Sequence, residues 1–463
     1  MTLKWHASGI VLIIVFYLLL PEVTLPGSKS APKNIILMIA DGCGYRQIEA
    51  ADDYEFGKPG CQVYEKFPVR LAVSTYSLDT GGYDPDSAWA DFNWILRRPT
   101  DSAAAATAMS TGVKTVNGSI GTDKNGKSVE NIIDRSEKLG KSTGVVTSVQ
   151  FSHATPAGFA AHNPDRGEMT SIARSMIMES PLEVVMGCGH PDYDGHGQRA
   201  DSSDYGYVGG DSVWASLKNG SAGADADGDG KPDPWTFVED RGSFQSLAAG
   251  GPPKRLFGVA KVRSTLQQNR AGDPMAATFA VPFVDSVPTL AEMSAAALNL
   301  LSRDPDGFFL MIEGGAVDWA SHNGQTGRMI EEETEFNSTV NRVAEWIEGN
   351  GGWKNNLLIV TGDHETGYPT GPRADSLWTA MKPSKRGGAL TLENHGKGLV
   401  PGIVWHTKGH TNALLPLFAK GAGSERLVDA AGRIDPVRGK YLDNTDIGKT
   451  LLELNPVIAQ QQR

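Results

Sequence analysis

Residues 34–44 read Asn34-Ile35-Ile36-Leu37-Met38-Ile39-Ala40-Asp41-Gly42-Cys43-Gly44. The row from Ile35 to Ala40 is apolar without a break. A half-exposed strand alternates apolar with polar residues, so this row describes a strand buried on both faces. An acid follows it at once, and the glycines allow a tight turn. Residues 142–148, 307–312 and 356–361 repeat the pattern. Helical periodicity separates these runs, over 129–139, 290–301 and 329–347, with a last helix predicted over 445–454. Strands alternating with helices predict an α/β fold with a mostly parallel sheet covered on both faces. Two stretches break the rhythm and read as surface insertions: 190–255, rich in Gly, Asp and Ser, and 370–408, rich in Pro, Gly and Lys.

In open α/β sheets ligands bind beyond the carboxyl ends of the strands. Asp41 follows the first run, His153 and Thr155 the second, Glu313 the third, and Asp363 and His364 the fourth. Acid or imidazole after four strands on one edge is hard to explain as solvated surface. Asp318 and His322 stand i, i+4, which on a helix puts both on one face. His410 would complete the set.

Ligand chemistry divides these residues. Zinc takes imidazole nitrogen and carboxylate oxygen in four-coordinate sites, and catalytic sites keep one position open. Asp318, His322 and His410 suit one such site, and Asp41, Asp363 and His364 a second. Asp41, Thr155 and Glu313 offer only oxygen and suit magnesium, with Asp41 bridging. Sequence alone does not make this partition unique. One further segment, Thr100-Asp101-Ser102-Ala103-Ala104-Ala105-Ala106, reads as a capped, alanine-rich helix with Ser102 in its first turn. Free N–H groups and the helix dipole favour an anion there.

The full chain has 463 residues, 40% hydrophobic, and a net charge of −11. That balance argues against nucleic acid as the main partner, because phosphate backbones need basic patches. Three cysteines, Cys43, Cys61 and Cys188, leave at least one unpaired. Cys43 and Cys188, set between glycines, read as small buried hydrophobes. Near the start, Lys4 precedes an apolar run over 9–20, about 18 Å as a helix and too short for a bilayer core of roughly 30 Å. The pattern over residues 1–30 fits an export signal, with small residues at Ser28-Lys29-Ser30-Ala31. An uncleaved membrane anchor is the alternative. Either reading expects an exported chain, periplasmic, extracellular or membrane-anchored.

Residues 225–233 place Asp225, Asp227, Asp229 and Asp233 at positions 1, 3, 5 and 9 of a loop with Gly230 at position 6. That matches the front of a calcium loop. Thr236 stands at position 12, where such loops place a bidentate Glu. A solvated acidic loop is the alternative.

Taken together these motifs resemble the alkaline phosphatases. Asp101-Ser102-Ala103 with Ser110-Thr111-Gly112-Val113-Lys114-Thr115 looks like that family's nucleophile segment. Asp41-Gly42, Thr155-Pro156-Ala157, Glu313-Gly314, Asp318 with His322, Thr361-Gly362-Asp363-His364-Glu365 and His410 fall in the family's order. The resemblance covers roughly residues 33–455. It implies one doubly wound α/β domain over 31–463, holding two Zn2+ and one Mg2+. It also implies Ser102 as nucleophile and Arg166 as phosphate binder. The family varies at two positions beside the metals, where this chain has His153 and Trp319. The implied activity is hydrolysis of phosphate monoesters at alkaline pH through a phosphoserine, and the family is often dimeric. A phosphodiesterase of the same superfamily is the rival enzyme. Such enzymes commonly use Thr as nucleophile and lack the magnesium ligands. A phosphate-binding protein without activity is the rival from another class, although every expected position is filled.

Overall fold

The structure is a computed structural model that describes residues 31–227 and 229–456. The segment read as an export signal or anchor lies outside the described residues. Among the described residues no helix is long and apolar enough to cross a membrane.

Eleven strands form the central sheet. In chain order they are β1 (Asn34–Ala40), β2 (Val69–Ser74), β3 (Ser142–Gln150), β4 (Val184–Cys188), β5 (Thr236–Val238) and β6 (Leu256–Val259). Then come β7 (Phe308–Gly314), β8 (Asn356–Thr361), β9 (Leu415–Gly421), β10 (Arg433–Asp435) and β11 (Gly439–Asp443). Across the sheet the order is β10-β11-β2-β9-β8-β1-β7-β3-β4-β6-β5. Pairing is parallel from β8 through to β5, whereas β9 runs antiparallel to both its neighbours. The sheet is therefore mixed and mostly parallel, flanked by helices on both faces.

The unbroken apolar row of β1 explains its place at the centre. Ile35, Leu37 and Ile39 enter one core, with Ala103, Met109, Ile447 and Leu451 from helices on that face. Ile36, Met38 and Ala40 enter the other, with Ile48, Met293, Met329 and Phe336. Alternation along the strand thus feeds two hydrophobic layers. Each fully buried aliphatic side chain contributes about 1.5–3 kcal/mol.

Several boundaries differ from the sequence expectation. Gly307 precedes β7 with φ +101°, and the strand runs on to Gly314. Glu313 therefore lies inside the strand, opposite Ile39 and Thr147, and not after it. The helix expected over 129–139 is shorter, Ile132–Glu137, because Asn131 and Asp134 close a capping box that fixes its start. Residues 190–255 contain the helices Asp211–Lys218 and Arg241–Ala249 and the edge strand β5. Residues 370–408 contain the helix Ala374–Ala380.

The helix Ser102–Thr111 is buried along its whole length. Its alanines permit close neighbours. A Cβ on Gly158 would stand 2.6 Å from Ala106 Cβ, and one on Gly448 would stand 2.3 Å from the Gly112 backbone nitrogen. Gly448→Ala must therefore push the helix Asn444–Leu454 away from the helix that carries Ser102. The expected result is a loss of roughly 1–3 kcal/mol, read as a melting temperature lower by several degrees. An unchanged melting temperature would show that the two helices separate without cost.

Candidate functional site

The carboxyl ends of β1, β3, β7 and β8 meet at one edge, and the acids and imidazoles placed there by sequence converge. Two groups of three form. Asp318, His322 and His410 bring one ligand atom each to within 4.8 Å of one another, and so do Asp41, Asp363 and His364.

In the first group, the helix Ala316–His322 puts His322 Nε2 3.2 Å from Asp318 Oδ2. His410 Nε2 lies 3.1 Å from His322 Nε2 and 3.7 Å from Asp318 Oδ1. The other nitrogen of each ring is already engaged: His322 Nδ1 with the Lys408 carbonyl, His410 Nδ1 with the Thr100 carbonyl at 2.9 Å. A ring that donates from Nδ1 turns an Nε2 lone pair inward, as metal-binding histidines do. In the second group, His364 Nε2 lies 3.1 Å from Asp363 Oδ2 and 3.5 Å from Asp41 Oδ1. Thr366 links the two groups, donating to Asp318 Oδ1 at 2.5 Å and standing 3.4 Å from His364 Nδ1.

Asp41, Asp318, Asp363 and Glu313 are all buried, with no Lys or Arg paired to any of them among the described residues. Burying unpaired charge is costly. Burial, then the neighbouring Asp363 and Asp318, raise Asp41 well above the usual carboxylate range. Burial raises Asp363 to about 6 and Glu313 to about 7. For Asp318, burial is outweighed by His322, His364 and His410, which hold it low. His322 answers in kind: burial opposes its charge, but Asp318 lifts it to about 9.

At this edge four buried oxygens have no hydrogen-bond partner among the described residues: Asp41 Oδ1, Asp363 Oδ2, Glu313 Oε1 and Thr155 Oγ1. Orphaned oxygens and crowded carboxylates are what a divalent cation would repair, so the donor set fits the expected metals. The Glu313 Oε2 atom is taken by Thr147 Oγ1.

Ser102 sits between the groups. Its Oγ is 3.0 Å from His364 Nε2 and 3.5 Å from Asp41 Oδ2. Asp101 does two jobs that sequence showed only in part. Its Oδ1 caps the helix by accepting from Ala104 N at 3.0 Å. Its Oδ2 accepts from Gly118 N at 3.0 Å and from Arg166 Nη1 at 2.9 Å. Arg166 Nη2 stands 3.4 Å from His153 Nε2. Burial, then Arg166, lower His153 to about 3, so its neutral ring accepts from the guanidinium. The His153 and Trp319 rings meet edge-on at 5.9 Å.

An open cavity of about 370 Å³ joins these pieces, lined by Ser102, His153, Arg166, Asp318, Trp319 and His410 among others. Asn323 also lines it and was not found from sequence. It follows Trp319 by one helical turn and donates to the Trp319 carbonyl at 2.8 Å. The carbonyls of Thr100 and Lys408 were also missed, since backbone groups leave no residue-type signal.

Asp225, Asp227 and Asp229 lie together elsewhere, all exposed. Lys254 Nζ already ion-pairs with Asp227 at 2.8 Å and Asp233 at 2.7 Å. The three cysteines are free, with Cys43 and Cys188 buried.

Comparison with known proteins specifies the family to which this mixed α/β sheet, with its constellation at the carboxyl edge, belongs. The sequence model of the family described as Alkaline phosphatase matches residues 32–399. Alkaline phosphatase 4 of Bacillus subtilis is 30% identical over 368 residues, which cover 76% of this chain and 66% of that protein. The chain thus spans just under two thirds of that relative's length. Alkaline phosphatase of Escherichia coli is 28% identical over 422 residues, covering 88% of this chain and 85% of that one. The solved alkaline phosphatase from the Antarctic bacterium TAB5 is 26% identical, with a TM-score of 0.60, covering 92% of this chain and 98% of that one. A variant of that enzyme was solved with magnesium in its M3 site. The chain belongs to the alkaline phosphatase family.

Proposed function

We propose that this chain hydrolyses phosphate monoesters at alkaline pH by two in-line displacements at phosphorus, with a phosphoserine on Ser102 between them. The observation that carries the reading is the Ser102 hydroxyl itself. It stands at a helix N-terminus, 3.0 Å from His364 Nε2 of one imidazole–carboxylate group, in a cavity shared with Arg166 and with Asp318, His322 and His410 of the other.

Asp318, His322 and His410 would hold one zinc, and Asp41, Asp363 and His364 a second. Asp41, Thr155 and Glu313 would hold magnesium. Bound there, the ions supply Lewis acidity that eases loss of the Ser102 proton and steadies the departing oxygen. The chain's own residues do the rest. Ser102 Oγ bonds to phosphorus as the bond to the alcohol oxygen breaks on the opposite side. Arg166 and the first-turn N–H groups take the non-bridging oxygens, which suits a loose transition state. Asp101 and His153 hold the Arg166 fork toward the cavity. Water then attacks from the side the alcohol left, the Ser102 Oγ–P bond breaks, and inorganic phosphate departs.

An aryl phosphate and the matching diester test this reading: the monoester should be turned over far faster, and a preference for the diester would contradict it. Arg166→Ala is expected to cost roughly 10- to 100-fold in kcat/KM, the value of lost charge-assisted hydrogen bonds. An unaltered kcat/KM would remove Arg166 from the phosphate site.

Calcium at Asp225, Asp227, Asp229 and Asp233 belongs to the same proposal, and it must displace the Lys254 ammonium. Millimolar calcium is expected to raise the melting temperature, and Asp227→Ala with Asp229→Ala to abolish the rise. A wild-type melting temperature indifferent to calcium would end that reading.

A further inference from the structure

Residues 97–101 lead into the helix that opens with Ser102 and belong to no helix or strand themselves. A segment of that kind must find other partners for its carbonyls. Here four carbonyls in succession are taken by side chains. Asn412 Nδ2 donates to the Arg97 carbonyl and, at 3.1 Å, to that of Arg98. Asn117 Nδ2 donates to the Pro99 carbonyl at 3.1 Å, and His410 Nδ1 meets the Thr100 carbonyl at 2.9 Å.

Asn412 supplies two of these contacts and stands two residues beyond His410. It is buried, and its own backbone N–H donates to the Ile95 carbonyl at 2.7 Å. Its Oδ1 has no hydrogen-bond partner among the described residues, so the donor end carries the contact.

The turn it holds is strained. Arg98 has φ +46°, in the left-handed region that disfavours a side chain. It also precedes Pro99, and the residue before a proline favours extended backbone. Such strain costs of order 1–3 kcal/mol and persists only where the surroundings impose it. The carbonyls of Arg97 and Arg98 belong to the peptide groups on either side of Arg98, so one amide fixes both ends of the strained residue.

Every group just past the turn serves the candidate site. The Thr100 carbonyl engages the His410 ring, Asp101 caps the helix and holds Arg166, and Ser102 faces His364. Asn412 thus ties the chain that brings His410 to the chain that brings Ser102.

We propose that Asn412 is a positioning residue: by holding the turn at Arg98 it sets the Ser102 hydroxyl and the His410 imidazole against each other. The inference rests on the function proposed above. Asn412 touches no substrate and acts through those two residues.

The zinc- and magnesium-loaded chain tests it. Asn412→Ala should lose about 10- to 100-fold in kcat on an aryl phosphate, the scale of an ångström's misplacement. Inhibition by inorganic phosphate should stay within about threefold, because Asp101 still holds Arg166. Zinc should pass to a competing chelator about tenfold more readily, because the carbonyl that orients His410 has shifted, and magnesium content should persist. Asn412→Asp keeps the shape but turns a carboxylate on two carbonyls, and should be at least as poor. Glycine accepts left-handed backbone without strain. Arg98→Gly alone should therefore keep the wild-type kcat, and added to Asn412→Ala it should restore at least about threefold. A purely structural clamp would lower the melting temperature and leave kcat and zinc affinity of the folded chain intact, which would overturn the proposal. Wild-type kcat and zinc affinity in Asn412→Asp would do the same. No recovery in the double variant would overturn the route through the Arg98 turn. The zinc comparison holds whether or not Ser102 is the nucleophile, so a fault in that reading and a fault in this one appear in different measurements.

Discussion

Ser102→Ala should lower kcat on an aryl phosphate by about three orders of magnitude or more, with its melting temperature kept. The hydroxyl is the only part of the side chain removed, and alanine favours the helix it opens. The loss is expected mainly in kcat, because Arg166 and the helix N-terminus still bind phosphate. Residues acting as a unit are not additive, so adding a loss of Arg166 should cost less than the product of the two single effects. A variant retaining a tenth of the wild-type kcat would show that Oγ does not form the bond to phosphorus.

His410→Ala carries the second large effect. His410 Nε2 lies 3.1 Å from His322 Nε2, so the variant deletes one of two imidazoles in its group. Zinc at that group should weaken by more than about 100-fold, beyond the effect of losing an outer-shell partner. Thr155 and Glu313 are untouched, so magnesium content should persist. Chelation of the wild type should abolish turnover, and zinc with magnesium should restore it. It should also lower the melting temperature, because Asp41, Asp363 and Glu313 would lose their compensating charge. Full zinc content in His410→Ala would remove that residue from the ligand set.

Sequence carried the centre of this fold better than its edges. β1 and β8 matched their expected bounds because unbroken apolar runs end at Asp41 and Gly362. The helix Leu290–Leu301 matched because Thr289 and Glu292 form a capping box at its start. β9 was not legible. It holds Pro416, which supplies no backbone donor and argues against a central strand. The structure accommodates it because Pro416 pairs with Ala72 of β2, while its carbonyl accepts from Thr361 Oγ1. β5 and β6 are only three and four residues long, too short for periodicity to register.

The candidate site was legible for a different reason. Its acids and imidazoles follow or close strands that share one edge, so position along the chain reports position in space. Arg166 had no such signal. Its place depends on Asp101, a contact spanning 65 positions of sequence. Asp101 was visible as a cap and not as the partner of Arg166, because one carboxylate serves both through different oxygens. Thr366 was equally silent, since a hydroxyl bridging Asp318 and His364 looks in sequence like any β-branched residue in a strand.

The central claim is that Ser102 carries phosphate between the two displacements. Metal-loaded protein mixed with labelled inorganic phosphate or an aryl phosphate, quenched at acidic pH and digested, tests it most directly. The account predicts one labelled peptide, phosphorylated at Ser102, and none in Ser102→Ala. Label on another residue, or full turnover with no labelled protein at any pH, would contradict it.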